Sequence, residues 1–448
     1  MRRWIPDPFV LAILLTLGTM AAVLLWGTVP EDQSRVGGML RVWSSGNGMW
    51  KLLAFAMQMS LILLGGHVLA ETKPVRVLLQ RLANTPRTAG GAAVMVATVA
   101  LVLGLLNWGL ALISGALLAR ETGRALHERG IRAHYPLLAA AGYMGLLVWH
   151  GGFSGSAPLA MTTQAGAEKV LPVNLIERVG VISLDATIFS PLNLMVSGGL
   201  LVLLPITFWL LTPKDSADIR EADAFLTDLP SNNDTTPTTD TLDDHLNHSW
   251  WLGGALGMLL LIAALISIGD SGIGHLGLNQ VIMVLLGLGL LLHRSPTHFT
   301  HAASQAAIGC AGIIVQFPLY AGIMGLLITS GLCATMTSGL VDIATPQTLP
   351  LATMMSAGIV NMLVPSGGGQ WAVQGPIALQ AGLDAGVAPG TMLMSVAFGD
   401  ELTNMLQPFW ALPLLAITGV RARDVVGYTA IAMLIAAVWM ALWLVVFA

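Results

Sequence analysis

The chain has 448 residues, of which 55% are hydrophobic and only 10% are charged, and its formal net charge at pH 7 is −4. With a mean hydropathy of +0.76, this composition excludes an ordinary soluble domain and predicts a membrane protein. Its two cysteines, Cys310 and Cys333, both lie in apolar runs, which indicates neither a disulfide framework nor a metal cluster. We therefore expect a lipid bilayer around the chain, and no cofactor, metal or nucleic acid.

Apolar segments of about 20 residues, the length that crosses a bilayer, recur along the chain. The first follows Arg2 and Arg3, and because no small-residue cleavage site follows it, we interpret it as an uncleaved span and not as a signal peptide. The segment at 278–293 is short for a span. The nine predicted spans are 8–27, 48–71, 136–165, 186–211, 250–268, 278–293, 305–332, 390–419 and 424–447.

Two further apolar runs, 89–120 and 350–381, are too long for one helix and are interrupted in the middle. The loops on both sides of the first run are short and basic, so both should be cytoplasmic. A re-entrant hairpin that enters and leaves from the cytoplasm satisfies both loops. With a cytoplasmic N-terminus, the second hairpin then enters from the outside. The basic residues are Lys73, Arg76, Arg81 and Arg87 before the first run, and Arg120, Arg124, Arg129 and Arg132 after it.

A polar stretch at 213–249 separates two halves that have the same layout. Its Asp, Thr, Asn and Ser residues predict a flexible, acidic, cytoplasmic linker. We interpret residues 1–212 as a first repeat, and residues 250–448 as an extra span followed by a second, inverted repeat. Each repeat has one hairpin and one broken span, at 136–165 and 390–419. The predicted fold is an all-α polytopic membrane protein of about nine spans and two hairpins.

The stretch from Asn361 to Pro376, NMLVPSGGGQWAVQGP, concentrates glycines, prolines, amides and a hydroxyl between apolar runs. These residues predict a helix break. Open backbone at membrane depth lines a wet cavity, and transporters bind substrate at such breaks. A polar loop at the membrane surface is the alternative. Amide and hydroxyl donors suit a monocarboxylate, while Trp108 and Trp371 either line its acyl chain or pack in the interior. The predicted substrate-binding residues are Asn107, Trp108, Ser154, Ser156, Asn361, Ser366, Gly367, Gly368, Gly369, Gln370, Trp371 and Gln374.

The two broken spans carry ionisable groups, which are costly at membrane depth and usually functional. His150 follows Asn107 by 43 residues, and Asn404 follows Asn361 by the same 43. The predicted coupling-ion residues are His150, Asp400, Thr403 and Asn404. A histidine titrates near neutral pH and a desolvated aspartate can approach it, which favours H⁺ as the coupling ion. Na⁺ held by the asparagines and backbone carbonyls is the alternative. The alternative interpretation of His150 is a packing residue. The alternative interpretation of Asp400 and Glu401 is that one or both lie at the membrane surface.

Seven segments resemble one known family: DPFV at 7–10, KLLAFAMQM at 51–59, LNWG at 106–109, WHGGFSGSAP at 149–158, IFSPLNL at 188–194, NMLVPSGGGQWAVQGP at 361–376 and QPFWALPLLAI at 407–417. They are similar to the short-chain fatty acid transporter (AtoE-type) family of the ion transporter superfamily. The resemblance implies a bacterial inner-membrane carrier of acids such as acetoacetate or butyrate, with inverted repeats and a homodimer. Related dicarboxylate carriers use Na⁺ and Ser-Asn-Thr hairpin tips. Those tips are replaced here, which puts Na⁺ coupling and dicarboxylate binding in doubt.

Three other functions were weighed against a cation-coupled carrier. The G-x-S-G motif at 152–155 matches the nucleophile motif of rhomboid-like intramembrane serine proteases, with Ser154 as nucleophile and His150 nearby. That motif is weak in a chain with 50 glycines, and it leaves the second glycine-rich hairpin unexplained. A passive channel does not account for two inverted hairpins. An ATP-driven pump lacks a phosphate-binding loop motif in this sequence.

Overall fold

The computed structural model describes residues 7–29, 34–215, 218–226, 242–271, 277–293, 295–341 and 344–447. Within these ranges the chain is helical and forms no β-strand. Seven of the described helices are long and apolar enough to cross a membrane. The predicted all-α polytopic class is therefore confirmed, whereas the inverted-repeat relation of the two halves stays a prediction.

The first half contains eleven α-helices, in which α1, α3, α5 and α11 have the length and hydropathy of spans. Their bounds are α1 (Pro8–Trp26), α2 (Arg35–Ser44), α3 (Leu53–Glu71), α4 (Lys73–Ala83), α5 (Ala89–Leu106), α6 (Trp108–Glu128), α7 (Tyr135–Gly142), α8 (Ser156–Ala160), α9 (Gln164–Glu168), α10 (Val173–Val179) and α11 (Pro191–Leu210).

The remainder contains eleven more described α-helices, and its candidate spans are α13, α22 and the nearly continuous pair of α15 and α16. Their bounds are α12 (Leu242–Asn247), α13 (Trp250–Ser271), α14 (Leu278–His293), α15 (Pro296–Ala307), α16 (Ala311–Thr329), α17 (Leu332–Val341), α18 (Leu349–Asn361), α19 (Gly367–Ala385), α20 (Pro389–Thr403), α21 (Pro408–Thr418) and α22 (Ala422–Val446).

The first helix pair, α5 and α6, turns at one residue, Asn107. This residue is extended, with φ −159° and ψ 126°, and its side chain accepts the N–H of Leu110 at 3.0 Å, which caps α6. Small residues let α5 approach the first broken span closely, because a Cβ at Gly104 would lie 2.4 Å from the carbonyl oxygen of Gly145. The tip of this pair is thereby held against the broken span.

The second helix pair, α18 and α19, is interrupted over residues 362–366. The Ser366 hydroxyl accepts the N–H of Gly369 at 3.3 Å and caps α19, so the three glycines form the first turn of that helix. Pro376, predicted as a second breaker, lies inside α19. A proline inside a helix removes one hydrogen bond and strains the turn before it, but here it does not end the helix.

The bases of the two pairs lie at opposite ends of α11. Gly90, at the start of α5, packs against Trp209 near the C-terminal end of α11. Gly390 follows the second pair and packs against the carbonyl oxygen of Ala186, just before α11 begins. The 20 residues of α11 span about 30 Å at 1.5 Å per residue. The two pairs therefore approach each other from opposite directions.

Several predicted boundaries were wrong. Arg120 and Arg124 were placed in a loop, but α6 continues through both to Glu128. The predicted span at 136–165 is helical only in α7, a 3₁₀ turn at Met144–Leu147, α8 and the start of α9, with irregular backbone between them. The irregular backbone is rich in glycine, and its hydrogen bonds to other segments take the place of intrahelical hydrogen bonds. The stretch between the predicted spans 278–293 and 305–332 is helical from Pro296 onwards, where Pro at the first helical position favours a helix start.

The predicted linker at 213–249 is only partly described, because residues 216–217 and 227–241 lie outside the described ranges. Its segment at 218–226 is docked on the core. The carbonyl oxygen of Arg220 accepts the N–H of Tyr135 at 2.9 Å, and its guanidinium donates to Asp424 at 2.9 Å. This part of the linker is therefore ordered by specific partners.

Candidate functional site

A cavity of about 320 Å³ lies between the tips of the two helix pairs, and we call it the tip cavity. The tip of the first pair contributes two residues, the irregular part of the first broken span two, α8 two, and the N-cap and first turn of α19 three. Its size is at the lower end for ligand pockets, which suits a small ligand. The residues that line it are Phe55, Asn107, Trp108, Trp149, Ser154, Ser156, Leu159, Ser366, Gly367, Gly368, Trp410, Gly277 and Leu278.

The described lining of the tip cavity contains no charged side chain. Its polar groups are hydroxyls, an amide and two buried indole N–H groups, those of Trp149 and Trp410, which have no hydrogen-bond partner among the described residues. A buried N–H without a partner is costly. Both N–H groups belong to residues that line the cavity, which makes them candidate donors to a bound ligand.

Aromatic rings form one wall of the tip cavity. The ring centroids of Trp108 and Trp410 are 5.1 Å apart in an edge-to-face arrangement, and Trp149 lies 6.2 Å from Trp108. Phe55 of α3 packs on the same cluster at 6.1 Å from Trp108. Such packing fixes the rings and leaves an apolar surface beside the polar donors.

The irregular part of the first broken span is hydrogen-bonded to the tip of the first pair. The N–H of Phe153 donates to the carbonyl oxygen of Leu105 at 2.8 Å, and the Ser154 hydroxyl accepts the N–H of Trp108 at 3.0 Å. From the other side, the Asn193 amide donates to the carbonyl oxygen of Gly151 at 2.9 Å. Backbone groups that a helix would have satisfied are thus paired with three separate elements.

Behind the cavity, the two broken spans meet through His150, Asp400 and Glu401. The Nε2 of His150 lies 3.4 Å from Oδ1 of Asp400, and the backbone N–H of His150 donates to Oε2 of Glu401 at 3.0 Å. All three residues are at most 2% exposed. The second oxygens of both carboxylates have no hydrogen-bond partner among the described residues. We call these three residues the buried acid–histidine cluster.

Asn361 joins the second helix pair to the second broken span. Its amide nitrogen lies 2.6 Å from the carbonyl oxygen of Asp400, 3.0 Å from Oγ1 of Thr403 and 2.9 Å from Oδ1 of Asn404. The side-chain amide of Gln407 in turn donates to the carbonyl oxygen of Asn361. This network is buried and fixes the end of α20 against the break in the second pair.

One glycine connects the tip cavity to the buried acid–histidine cluster. A Cβ at Gly367 would lie 2.7 Å from Nε2 of His150 and 2.9 Å from the ring of Trp149. Only glycine lets the N-terminus of α19 come this close to the histidine ring. A ligand at the start of α19 would therefore lie next to His150.

The structure brings seven of the twelve predicted substrate-binding residues to the tip cavity and places five elsewhere. Gln370 donates to the carbonyl oxygen of Ala357 and to Gln374, which donates to Thr337 and Ser356. These two amides therefore pack α19 against α17 and α18. Of the remaining three, Trp371 is a fully buried packing residue, Gly369 follows the cap of α19, and Asn361 belongs to the network described above.

Sequence reasoning missed seven residues that the structure places at the site: Phe55, Trp149, Leu159, Gly277, Leu278 and Trp410 in the cavity lining, and Glu401 behind it. Trp149 is adjacent to His150, and Trp410 lies two residues beyond Pro408, so proximity to the breaks was the available signal. Glu401 was considered as a membrane-surface residue but is fully buried.

The serine and histidine of the protease alternative do not form a pair. The Ser154 hydroxyl is engaged by the N–H of Trp108 at 3.0 Å, while the ring of His150 faces Asp400. No hydrogen bond joins Ser154 to His150 within the described part of the chain. A base that cannot reach the hydroxyl does not activate it.

Residues 1–447 match the family described as "Short chain fatty acid transporter". A protein of Escherichia coli provisionally named a short-chain fatty acid transporter is 37% identical over 446 residues, which are 99% of this chain and 97% of that protein. A protein of Haemophilus influenzae with the same provisional name is 33% identical over 435 residues, covering 97% and 95%.

Two solved structures are also similar in outline. The Alcanivorax borkumensis YdaH transporter is 13% identical, with a TM-score of 0.45 and 98% of each chain covered. The Neisseria gonorrhoeae protein MtrF, described with a class of antimetabolite efflux pumps, is 14% identical, with a TM-score of 0.39 and 99% and 94% covered.

Proposed function

Because this chain belongs to the short chain fatty acid transporter family, we propose that it carries a small monocarboxylate of the acetoacetate or butyrate class by cation-coupled symport. The observation that carries the proposal is the uncharged, donor-lined tip cavity that adjoins a buried acid–histidine cluster. As a member of a transporter family, the chain is not an enzyme, and nothing favours the protease alternative.

The tip cavity supports binding of a monocarboxylate. The indole N–H groups of Trp149 and Trp410 and the hydroxyls of Ser154 and Ser156 can donate to the carboxylate. The N-terminus of α19 adds backbone N–H groups and the positive end of the helix dipole. The short acyl chain lies against Trp108 and its aromatic neighbours. A second carboxylate would find no cation in the described lining, which disfavours dicarboxylates.

The buried acid–histidine cluster supports coupling to H⁺. An anion that enters a cell with a negative interior moves against about 2.3 kcal/mol per 100 mV, which one accompanying cation cancels. Two carboxylates and one histidine, all buried, cannot all be charged without a net charge at membrane depth, which is costly. With His150 protonated, a proton taken up by Asp400 or Glu401 removes that charge. Na⁺ remains the alternative ion, with Thr403, Asn404 and the carbonyls around Asn361 as its ligands.

The arrangement of the two helix pairs supports alternating access. They approach the tip cavity from opposite ends of α11, so each can close one route to it. In this proposal the protein is a homodimer in the bacterial inner membrane, with a cytoplasmic N-terminus and re-entrant helix pairs. Arg178 in the last turn of α10 lies 3.3 Å from Asp384 at the base of the second pair, which supports one common end for these two segments.

The test is uptake of radiolabelled butyrate into proteoliposomes, driven separately by a pH gradient and by a Na⁺ gradient. We expect the pH gradient alone to drive accumulation, and His150→Ala and Asp400→Asn to abolish it. Uptake that follows Na⁺ alone, at full rate in both variants, would show that the proton proposal is wrong. Ser154→Ala should weaken transport only in part, because other donors line the cavity. The absence of any butyrate uptake would reject the transport proposal itself.

A further inference from the structure

A second cavity, of about 1020 Å³, opens where the ends of α3, α4, α14 and α15 face the second half of α6. It shares no lining residue with the tip cavity. Four cationic side chains, three carboxylates and four histidines line it, and we call it the basic cavity. Its chemistry is therefore the opposite of that of the uncharged tip cavity.

Arg120 is the buried cation of the basic cavity. Its side chain is 8% exposed, compared with 33% for Arg124 and 52% for Arg76. Its Nε lies 3.7 Å from Oε1 of Glu121, beyond hydrogen-bond distance. The guanidinium donates no hydrogen bond to any other residue that the structure describes. Because a buried charge without hydrogen bonds is costly, this group needs an acceptor from the cavity.

Neither of the nearest carboxylates of the basic cavity forms a hydrogen bond with Arg120. Glu71 lies 2.5 Å from Arg76, and Oε1 of Glu121 lies between two arginines, 3.5 Å from Arg124 and 3.7 Å from Arg120. The guanidinium fork of Arg120 can therefore receive an external carboxylate through two parallel N–H···O bonds, the geometry for which arginine is suited.

Residues of one helix, α6, line both cavities. The helix α6 begins at Trp108, in the lining of the tip cavity, and Arg120 follows twelve residues later, which is about 18 Å along the axis. Between them Ile113 packs onto Gly66 of α3, where an added Cβ would lie 2.2 Å from the Ile113 methyl group. A packed layer thus separates two sites on the same helix.

We propose that Arg120 forms a second binding site for the carboxylate of the transported acid, on the side of the packed layer where the basic loops lie. This proposal rests on the transport of a monocarboxylate proposed above. The basic cavity is far larger than a short-chain acid, so the bound anion is held at one end by Arg120 and remains hydrated at the other. This site therefore binds the anion more weakly than the tip cavity does, which suits an intermediate site along the transport path.

The test is equilibrium binding of radiolabelled butyrate to the purified full-length protein. We expect two molecules per chain in the wild type and one in Arg120→Gln. Gly367→Ala, which crowds the tip cavity at the start of α19, should weaken binding there and leave the molecule that depends on Arg120 unchanged. Arg120→Lys keeps the charge but loses the fork, and should bind the second molecule several-fold more weakly. Arg178→Gln, which removes an exposed arginine outside both cavities, is the matched control and should bind two.

The outcomes separate this inference from the proposed function. One molecule in both the wild type and Arg120→Gln overturns the second site and leaves the transport proposal intact. No binding in the wild type overturns both. Inorganic phosphate is the competing anion. If it displaces the Arg120-dependent butyrate at a lower concentration than butyrate itself requires, the site serves phosphate and the assignment to the transported acid is wrong. Size-exclusion profiles that match the wild type establish that each variant is folded.

Discussion

His150 and His127 each face a carboxylate, but they do so in opposite surroundings. His150 lies 3.4 Å from Asp400 between the two broken spans, with side chains that are 1% and 3% exposed. His127 lies 2.9 Å from Glu221, where the last turn of α6 meets the docked part of the linker, with side chains that are 46% and 24% exposed. The second contact is shorter, yet it is the one that water and salt can screen.

The comparison shows that burial, and not the contact itself, decides what protonation can do. At the exposed contact, a change of charge is compensated by solvent and has only a local effect. In the buried acid–histidine cluster, a change of charge has to be matched by a nearby ion, because net charge at membrane depth is costly. Proton binding at His150, Asp400 or Glu401 can therefore be linked to the binding of an anion in the adjoining cavity.

The largest expected effect comes from removing the titratable group of Glu401 while keeping its shape. Glu401→Gln retains an oxygen that can accept the N–H of His150 but cannot take up a proton. If Glu401 carries the coupling proton, the variant should exchange butyrate across the membrane but no longer accumulate it. At 100 mV, interior negative, an uncoupled anion is instead excluded by about 2.3 kcal/mol, roughly 50-fold. Exchange and net uptake are measured in the same vesicles.

Asp384→Asn is the matched control for Glu401→Gln. Asp384 is an exposed carboxylate, 59% accessible, that pairs with Arg178 at 3.3 Å. We expect its loss to leave accumulation unchanged. If Glu401→Gln accumulates butyrate as the wild type does, the proton is carried by another member of the cluster or by none.

A smaller effect is expected when the approach of α19 to His150 is blocked. In Gly367→Ala, the new methyl group would lie 2.7 Å from Nε2 of His150, and overpacking of this kind costs about 1–3 kcal/mol of stability. We expect this cost to fall on the substrate-bound state, which would slow uptake roughly 5- to 150-fold. Gly198→Ala is the matched control, since nothing lies within 4 Å of its added Cβ. Initial rates of butyrate uptake give the comparison. Equal rates for the two variants would mean that the start of α19 does not adjoin the site.

The sequence predicted the helix breaks better than it predicted which polar groups face the cavity. The breaks at Asn107 and at residues 362–366 are local, since an asparagine cap and a run of glycine and proline determine them. Gln370 and Gln374 follow the second break closely and seemed equally suited to a substrate. Whether an amide faces a ligand or a neighbouring helix depends on packing between α17, α18 and α19, which sequence alone does not contain.

Two charged residues, Arg120 and Glu401, are buried more deeply than the sequence indicated. Arg120 is predicted in a loop because it is one of four basic residues that follow the first apolar run, whereas the structure buries it in α6 beside a polar cavity. A membrane-surface position is the alternative for Asp400 and Glu401, yet both are buried. Successive residues on a helix point about 100° apart, and here one carboxylate faces a histidine ring and the other a backbone N–H of the same residue.

A loss of stability is expected when the network behind the cavity loses its central amide. Asn361→Ala removes the donor shared by Asp400, Thr403 and Asn404 and leaves buried acceptors unpaired, which costs about 1–3 kcal/mol. Thermal unfolding in detergent should show a lower midpoint than in the wild type. Asn84→Ala, which removes an exposed amide that donates only to its own helix, is the control. An unchanged midpoint for Asn361→Ala would mean that water replaces the amide.

The smallest effect is expected at the exposed contact, and its sign follows from the two pKa values. The hydrogen bond to Glu221 raises the pKa of His127 above its usual 6.5, and the same hydrogen bond lowers the pKa of Glu221 below its usual 4.5. The contribution of His127 is therefore fully present below pH 6.5 and is lost as the pH rises through its raised pKa. That of Glu221 is present above pH 4.5 and is lost as the pH falls through its lowered pKa. Their contact should stabilise the docked linker segment most between these values.

The unfolding midpoint of the wild type, minus that of His127→Gln, should thus be larger at pH 5.5 than at pH 8.5. Because both side chains are partly solvated, high salt should reduce the difference, and a difference independent of pH would mean that His127 acts by packing alone.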